Sequence, residues 1–196
     1  MKKWLTLLLA LMMTLSLAAC SGGDDEERAK KLEPEVMVDA MNDFAKKPSA
    51  KTFGTMVGGT LVGDEVAAYI KAAVEAVGMD EEDFIDMVGE DVEGTTIELK
   101  KSEELGKDDI SDYQEQLDDM VDALKDQLSE LEDQKDLLGE DGYEAMHDAL
   151  EALVKALDGA KISDGLRLTV DNGEDEEDIC IFNVDGKWFS EGIFEF

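Results

Sequence analysis

The chain has 196 residues, with 50 Asp and Glu against 18 Lys and Arg, a formal charge of −32 and a pI near 4.1. That field repels phosphodiester backbones and anionic lipid headgroups, so it argues against nucleic acid and against the folded body docking on a bilayer, and favours cationic or neutral ligands. Two cysteines and one histidine exclude a metal centre built on several His or Cys ligands.

The N-terminus reads Met1-Lys2-Lys3 and then runs apolar from Trp4 to Ala19, interrupted by Thr6, Thr14 and Ser16. This is the layout of a signal peptide, residues 1–19. At about 1.5 Å per residue the apolar run reaches roughly 24 Å, short of the roughly 30 Å hydrocarbon core of a membrane. The run ends Leu17-Ala18-Ala19-Cys20, which resembles a bacterial lipobox. The resemblance implies diacylglyceryl transfer to the Cys20 thiol, cleavage before it, and a lipoprotein held through palmitate-type chains at the extracytoplasmic face of the bacterial cell membrane. Two or more such chains anchor stably where one is marginal. With Cys20 lipidated, Cys180 has no partner in the chain, and no disulfide framework is expected. Ser21 to Glu27 contains no apolar residue, so residues 20–32 read as a lipidated cysteine and acidic tether with a reach of roughly 20 Å. Residues 33–196 are then one domain.

From Pro34, Val36, Met37, Ala40, Met41 and Phe44 recur at helical spacing until Lys47-Pro48. Phe53 to Gly63 is small and apolar with four glycines. Asp64-Glu65 then opens a second helix carrying Val66, Tyr69, Ile70, Ala73, Val74 and Val77, closed by Gly78. A third helix spans Asp80 to Val88. Thr95 to Lys100 alternates at period two and predicts a half-buried strand with Ile97 and Leu99 inward. Ile110 through Leu138 form one long apolar stripe, Gly139 to Gly142 turns the chain, and Tyr143 through Leu157 form a second stripe, predicting an antiparallel helical hairpin.

Past Gly159 the period returns to two. Leu166, Leu168 and Val170 alternate with polar residues, Ile179 to Val184 is apolar on both parities, and Lys187 to Phe196 follows the tight turn Asp185-Gly186. These segments predict a meander whose middle strand is covered on both faces. The fold class is α+β: several helices, including the long hairpin, on an antiparallel sheet of about four strands.

Few residues offer chemistry. His147 is the only histidine and lies at the edge of an apolar stripe. Cys180, in Ile179-Cys180-Ile181-Phe182, reads as a buried strand thiol or, less simply, as a nucleophile. The loop from Asp171 to Asp178 could offer Asp171, Asp175 and Asp178 as oxygen ligands to calcium, but it lacks the Asp-x-Asp-x-Asp-Gly spacing and reads first as a solvated turn. Gly54, Gly58, Gly59 and Gly63 have no following lysine, and Asp64-Glu65 would repel phosphate, so they read as a loop or a close-packed small-residue helix. Trp188 could stack on a ligand or sit in the core as a cross-strand residue. No cofactor and no catalytic set emerges.

Lys161-Ile162-Ser163-Asp164-Gly165, a strand, an acidic hairpin, a second strand and Asp185-Gly186-Lys187-Trp188-Phe189 together resemble the C-terminal half of small lipoproteins of gut-type Gram-positive bacteria. The resemblance implies a cystatin-like or nuclear transport factor 2-like cone, in which a curved antiparallel sheet wraps a long helix, and carries no assigned function or catalytic residue. The long hairpin from Asp108 to Asp158 and the glycine-rich stretch before Asp64 depart from that pattern. Two functional expectations follow. The first is a non-catalytic binding or scaffolding module, tethered through Cys20, for a cationic or neutral envelope or extracellular ligand. The second is an enzymatic or small-molecule pocket with a buried carboxylate beside the meander. Nothing in the residues sets an oligomeric state.

Overall fold

The computed structural model describes residues 32–89, 94–173 and 175–195; the leader, Cys20 and all of the tether before Leu32 lie outside them. Helices α1 (Glu35–Lys46), α2 (Ala50–Ala76) and α3 (Glu81–Gly89) precede strand β1 (Glu98–Glu104). Helices α4 (Lys107–Leu131) and α5 (Lys135–Leu157) follow, and then β2 (Asp164–Asp171), β3 (Glu176–Val184) and β4 (Lys187–Ser190). The four strands form one antiparallel sheet in sequence order, so the α+β class stands. Among the described residues no helix is long and apolar enough to cross a membrane.

Helix α1 buries Met37, Ala40 and Phe44 at the spacing that its sequence predicts. Helix α2 begins fourteen residues before Asp64, because Ser49 caps it by accepting from the Thr52 N–H at 3.1 Å. It is not continuous. Gly59 (φ 57°, ψ −139°) and Val62 (φ −140°) break it, and the segments before and after double back on one another. A Cβ added to Gly58 would lie 2.8 Å from the Gly63 nitrogen, and one added to Gly54 would lie 2.9 Å from the Ala67 nitrogen. The glycines are therefore the contact surface of two backbones, and of the two readings the close-packed helix is the one adopted.

The hairpin forms as predicted, with the chain reversal at Gly139 (φ 74°). Its antiparallel register is fixed by Lys125 Nζ to Asp158 at 2.9 Å and by Leu131 packing with Met146 and Leu150. Gln114 of α4 pins the chain entering β2, donating to the Ala160 carbonyl at 3.2 Å and accepting from the Ile162 N–H at 2.9 Å.

The first strand lies further along than its alternation predicts, over Glu98–Glu104 rather than Thr95–Lys100. Ile97 is buried just before it, held by Asn42, whose amide donates to the Ile97 carbonyl and accepts from the Ile97 N–H, both at 2.9 Å. Pairing with β2 along a sheet edge, without side-chain burial, defines the rest of β1. Its exposed charges Lys101, Glu103 and Glu104 suit an edge that must not recruit another strand.

Strand β3 lies between β2 and β4 and is buried on both parities, as its composition predicts. Leu166, Leu168 and Val170 share one face with Ile181 and Trp188, beneath α1 and Met56. Phe182 pairs with Gly165 and Phe189, so it lies on the opposite face with Cys180 and Val184, in the larger core with Leu117, Leu153 and Leu157. The last strand stops at Ser190, and Glu191–Glu195 form a 3-10 turn instead of continuing it. The Glu191 side chain takes the Cys180 N–H at 2.9 Å, beyond the last paired residues Ile181 and Ser190.

Candidate functional site

A pocket beside the meander would need concave space and a carboxylate. Leu166, Leu168, Val170 and Phe182 are all buried, and the packing of both sheet faces leaves them no such space. A small cavity lies deeper, between α2, α4 and α5, with a volume of about 30 Å³. Val66, Met120, Leu124, Leu157 and Ile193 line it, and its polar groups are Tyr69 and Gln127, which hydrogen-bond to one another at 3.3 Å. Burial raises the Tyr69 pKa, and the Gln127 hydrogen bond opposes that rise. The space is of the order of one water molecule and no carboxylate faces it.

One polar cluster joins residues that no local motif connects. The Tyr113 hydroxyl lies 3.4 Å from Cys180 Sγ and 3.1 Å from Glu191 Oε2, and Glu191 Oε1 accepts from the Cys180 N–H. Tyr113 packs against Phe182 with the rings tilted and their centroids 4.4 Å apart. Burial, reinforced by the Glu191 charge, pushes the Cys180 thiol up, while Tyr113 and Arg167 oppose that shift. The Tyr113 hydroxyl is driven far above its ordinary range by burial first and by Cys180 next. Both groups therefore stay protonated at neutral pH. A thiol lacking thiolate character is a poor nucleophile. The cluster serves to fasten the chain's last turn to α4 and β3. Tyr113 and Glu191 are 67 and 11 residues from Cys180, so no spacing in the sequence signals them.

The other candidates occupy separate places. Trp188 is 7% exposed, in the core, and its backbone N–H donates to Thr60 Oγ1 at 3.2 Å. Asp171 pairs with Lys100 at 2.9 Å and accepts from the Gly173 N–H at 2.7 Å, which lowers its pKa, Lys100 first and Gly173 second. Asp175 gives its backbone N–H to Asn172, and Asp178 accepts from Thr169 Oγ1 at 2.7 Å. The hairpin thus engages the carboxylates of Asp171 and Asp178, while Asp175 takes part through its main chain. Among the described residues a three-ligand grouping does occur at His147, Asp148 and Glu151, whose candidate atoms lie within 4.8 Å of one another. It is a looser set than a preformed ion site, and Asp148 and Glu151 are exposed. His147 packs on Tyr143 at 5.6 Å.

Among the described residues a wide, shallow groove of about 510 Å³ lies between the second segment of α2 and α5. Val66 packs near Leu153 and Leu157, and Ala72 near Met146 and Leu150, so the two helices run antiparallel. Ala68, Ala72, Ala145, Ala149 and Ala152 line it, with Ala68 and Ala145 exposed and Ala72 and Ala149 buried. Around them stand Asp64, Glu65, Glu75 and Asp148, against one cation, Lys71, whose ammonium lies 3.5 Å from Glu81. Among the described residues every buried side-chain nitrogen and oxygen has a hydrogen-bond partner.

No protein-family model, curated protein or solved structure matches this chain.

Proposed function

We propose that this chain is a lipoprotein of the bacterial envelope, anchored through Cys20 at the extracytoplasmic face, whose domain is a non-catalytic binding module. The observation that carries the reading is where the molecule is concave. Among the described residues a shallow, open, acid-rimmed groove lies on a helical face, whereas the cavity nearer the core is apolar and the size of a water. A general base needs a carboxylate held in a partly dry pocket, and binding of an extended partner needs the opposite, an accessible surface. The protonated state of Cys180 agrees with this reading. The run of helices, strand, helices and meander is also compatible with the cystatin-like arrangement that the C-terminal segment suggests.

Anchoring is tested by mass spectrometry of the chain expressed in a bacterium with intact lipoprotein processing. Membrane-bound protein beginning at a diacylglyceryl-modified Cys20, lost in Cys20→Ser, is the expected result; an unmodified Cys20 in wild-type protein sinks the anchoring. Binding is tested by retention of envelope components on the immobilised protein, alongside a broad hydrolase and isomerase screen. Turnover that survives repurification overturns the non-catalytic reading.

A further inference from the structure

We infer that the groove between α2 and α5 is the binding surface, and that its occupant is a cationic amphipathic helix about three turns long. This rests on the binding-module reading and names its partner by chemistry.

Two features of the groove select that partner. Its walls are alanines contributed by two antiparallel helices, and an alanine side chain ends at Cβ, so a third helix can approach closely enough for its own small or apolar stripe to pack between them. The acids at its rim then face whatever flanks that stripe. Asp64, Glu65, Glu75 and Asp148 outnumber Lys71, and Glu81 already draws on the Lys71 charge. A partner with Lys or Arg on both flanks satisfies them, and like charge excludes the competitors. A second copy of this chain brings a formal charge of −32, and an anionic lipid surface brings phosphate. From Asp64 to Glu75 the groove wall runs eleven residues, about 17 Å at helical rise, which matches roughly three turns of the partner. Cations at positions i, i+4 and i+7 or i+8 on each flank would meet the rim.

The probe is a synthetic 18-residue helix with an alanine stripe flanked by lysines, compared with a counterpart carrying glutamates in their place. Binding to the full-length chain in nonionic detergent is read by fluorescence anisotropy at physiological salt. The lysine helix is expected to bind and the glutamate helix not to. Glu75→Lys with Asp148→Lys should weaken binding at least tenfold, and Ala68→Trp with Ala145→Trp should do so with the charge unchanged. Asp112→Lys with Asp119→Lys, the same charge change on exposed α4 positions, should change it less than twofold. Equal losses in the two charge-reversed pairs, or full binding by the tryptophan pair, overturn the groove as the site. Retention of an envelope component by groove variants at wild-type strength overturns this inference alone. Failure of the wild-type chain to retain any component, with turnover in the screen, removes the reading beneath it.

Discussion

A side chain on Gly59 would collide with the main-chain carbonyl of Trp188, so the break in α2 and the outer edge of the sheet meet backbone to backbone. The contact is reinforced on both sides. The Trp188 N–H donates to Thr60, and the Ser190 hydroxyl lies 3.0 Å from the carbonyls of Met56 and Val57, at the end of the first segment of α2. A helix terminus that lacks further turns and a strand edge that lacks a neighbour thus satisfy one another.

Gly59→Ala should destabilise the fold by about 3 kcal/mol or more, since it combines a left-handed φ with a steric clash in a core contact. Gly142→Ala is the control. Its Cβ would meet only Leu138 at 3.7 Å inside α5, so helix propensity should stabilise that variant by about 0.5–1 kcal/mol. Urea denaturation of both variants checks the pair, and equal effects would disprove the backbone contact.

Ser190→Ala removes one hydroxyl, on a residue that is 2% exposed, and leaves two helix-end carbonyls without its proton. The expected cost is about 1–2 kcal/mol, read as a lowered denaturant midpoint with an unchanged slope.

Cys180 makes stability sensitive to alkali. Its folded pKa is raised, so its contribution is fully present below the unfolded value of about 8.5 and is lost as pH rises from there through the folded pKa. The unfolding free energy should decline above roughly pH 8.5, and Cys180→Ala should flatten that decline. Thiol titration at pH 8 should find Cys180 unreactive in the native chain and reactive in urea; rapid native labelling would contradict its protonated, buried state.

Asp171 acts in the opposite sense. Lys100 holds its pKa below the ordinary value, so the stability it adds is present above about pH 4 and lost as pH falls through the folded pKa. Thermal melts of wild type and Asp171→Asn should differ at pH 6 and converge in strong acid. A gap that persists at pH 2 would assign the effect to the turn and not to the ion pair. Added salt should narrow the gap at pH 6, because the pair is partly exposed to solvent.

The sequence alone determined the elements whose apolar residues repeat at one period: α1, α3, the hairpin of α4 and α5, and the doubly buried β3. It determined the acidity too, and with it the sign of the field around the domain. Local periodicity reports which side of an element is dry, and in these segments that is enough. Only the tertiary structure decided what Gly54, Gly58, Gly59 and Gly63 are for, because helix propensity argues against them and close backbone packing outweighs it. It also decided that Phe182 faces away from Leu166 and Leu168, since that depends on cross-strand register. The cluster of Tyr113, Cys180 and Glu191, and the groove that brings Asp64 to Asp148, join residues far apart in the chain. No spacing within one element encodes those meetings; they arise when buried faces find one another.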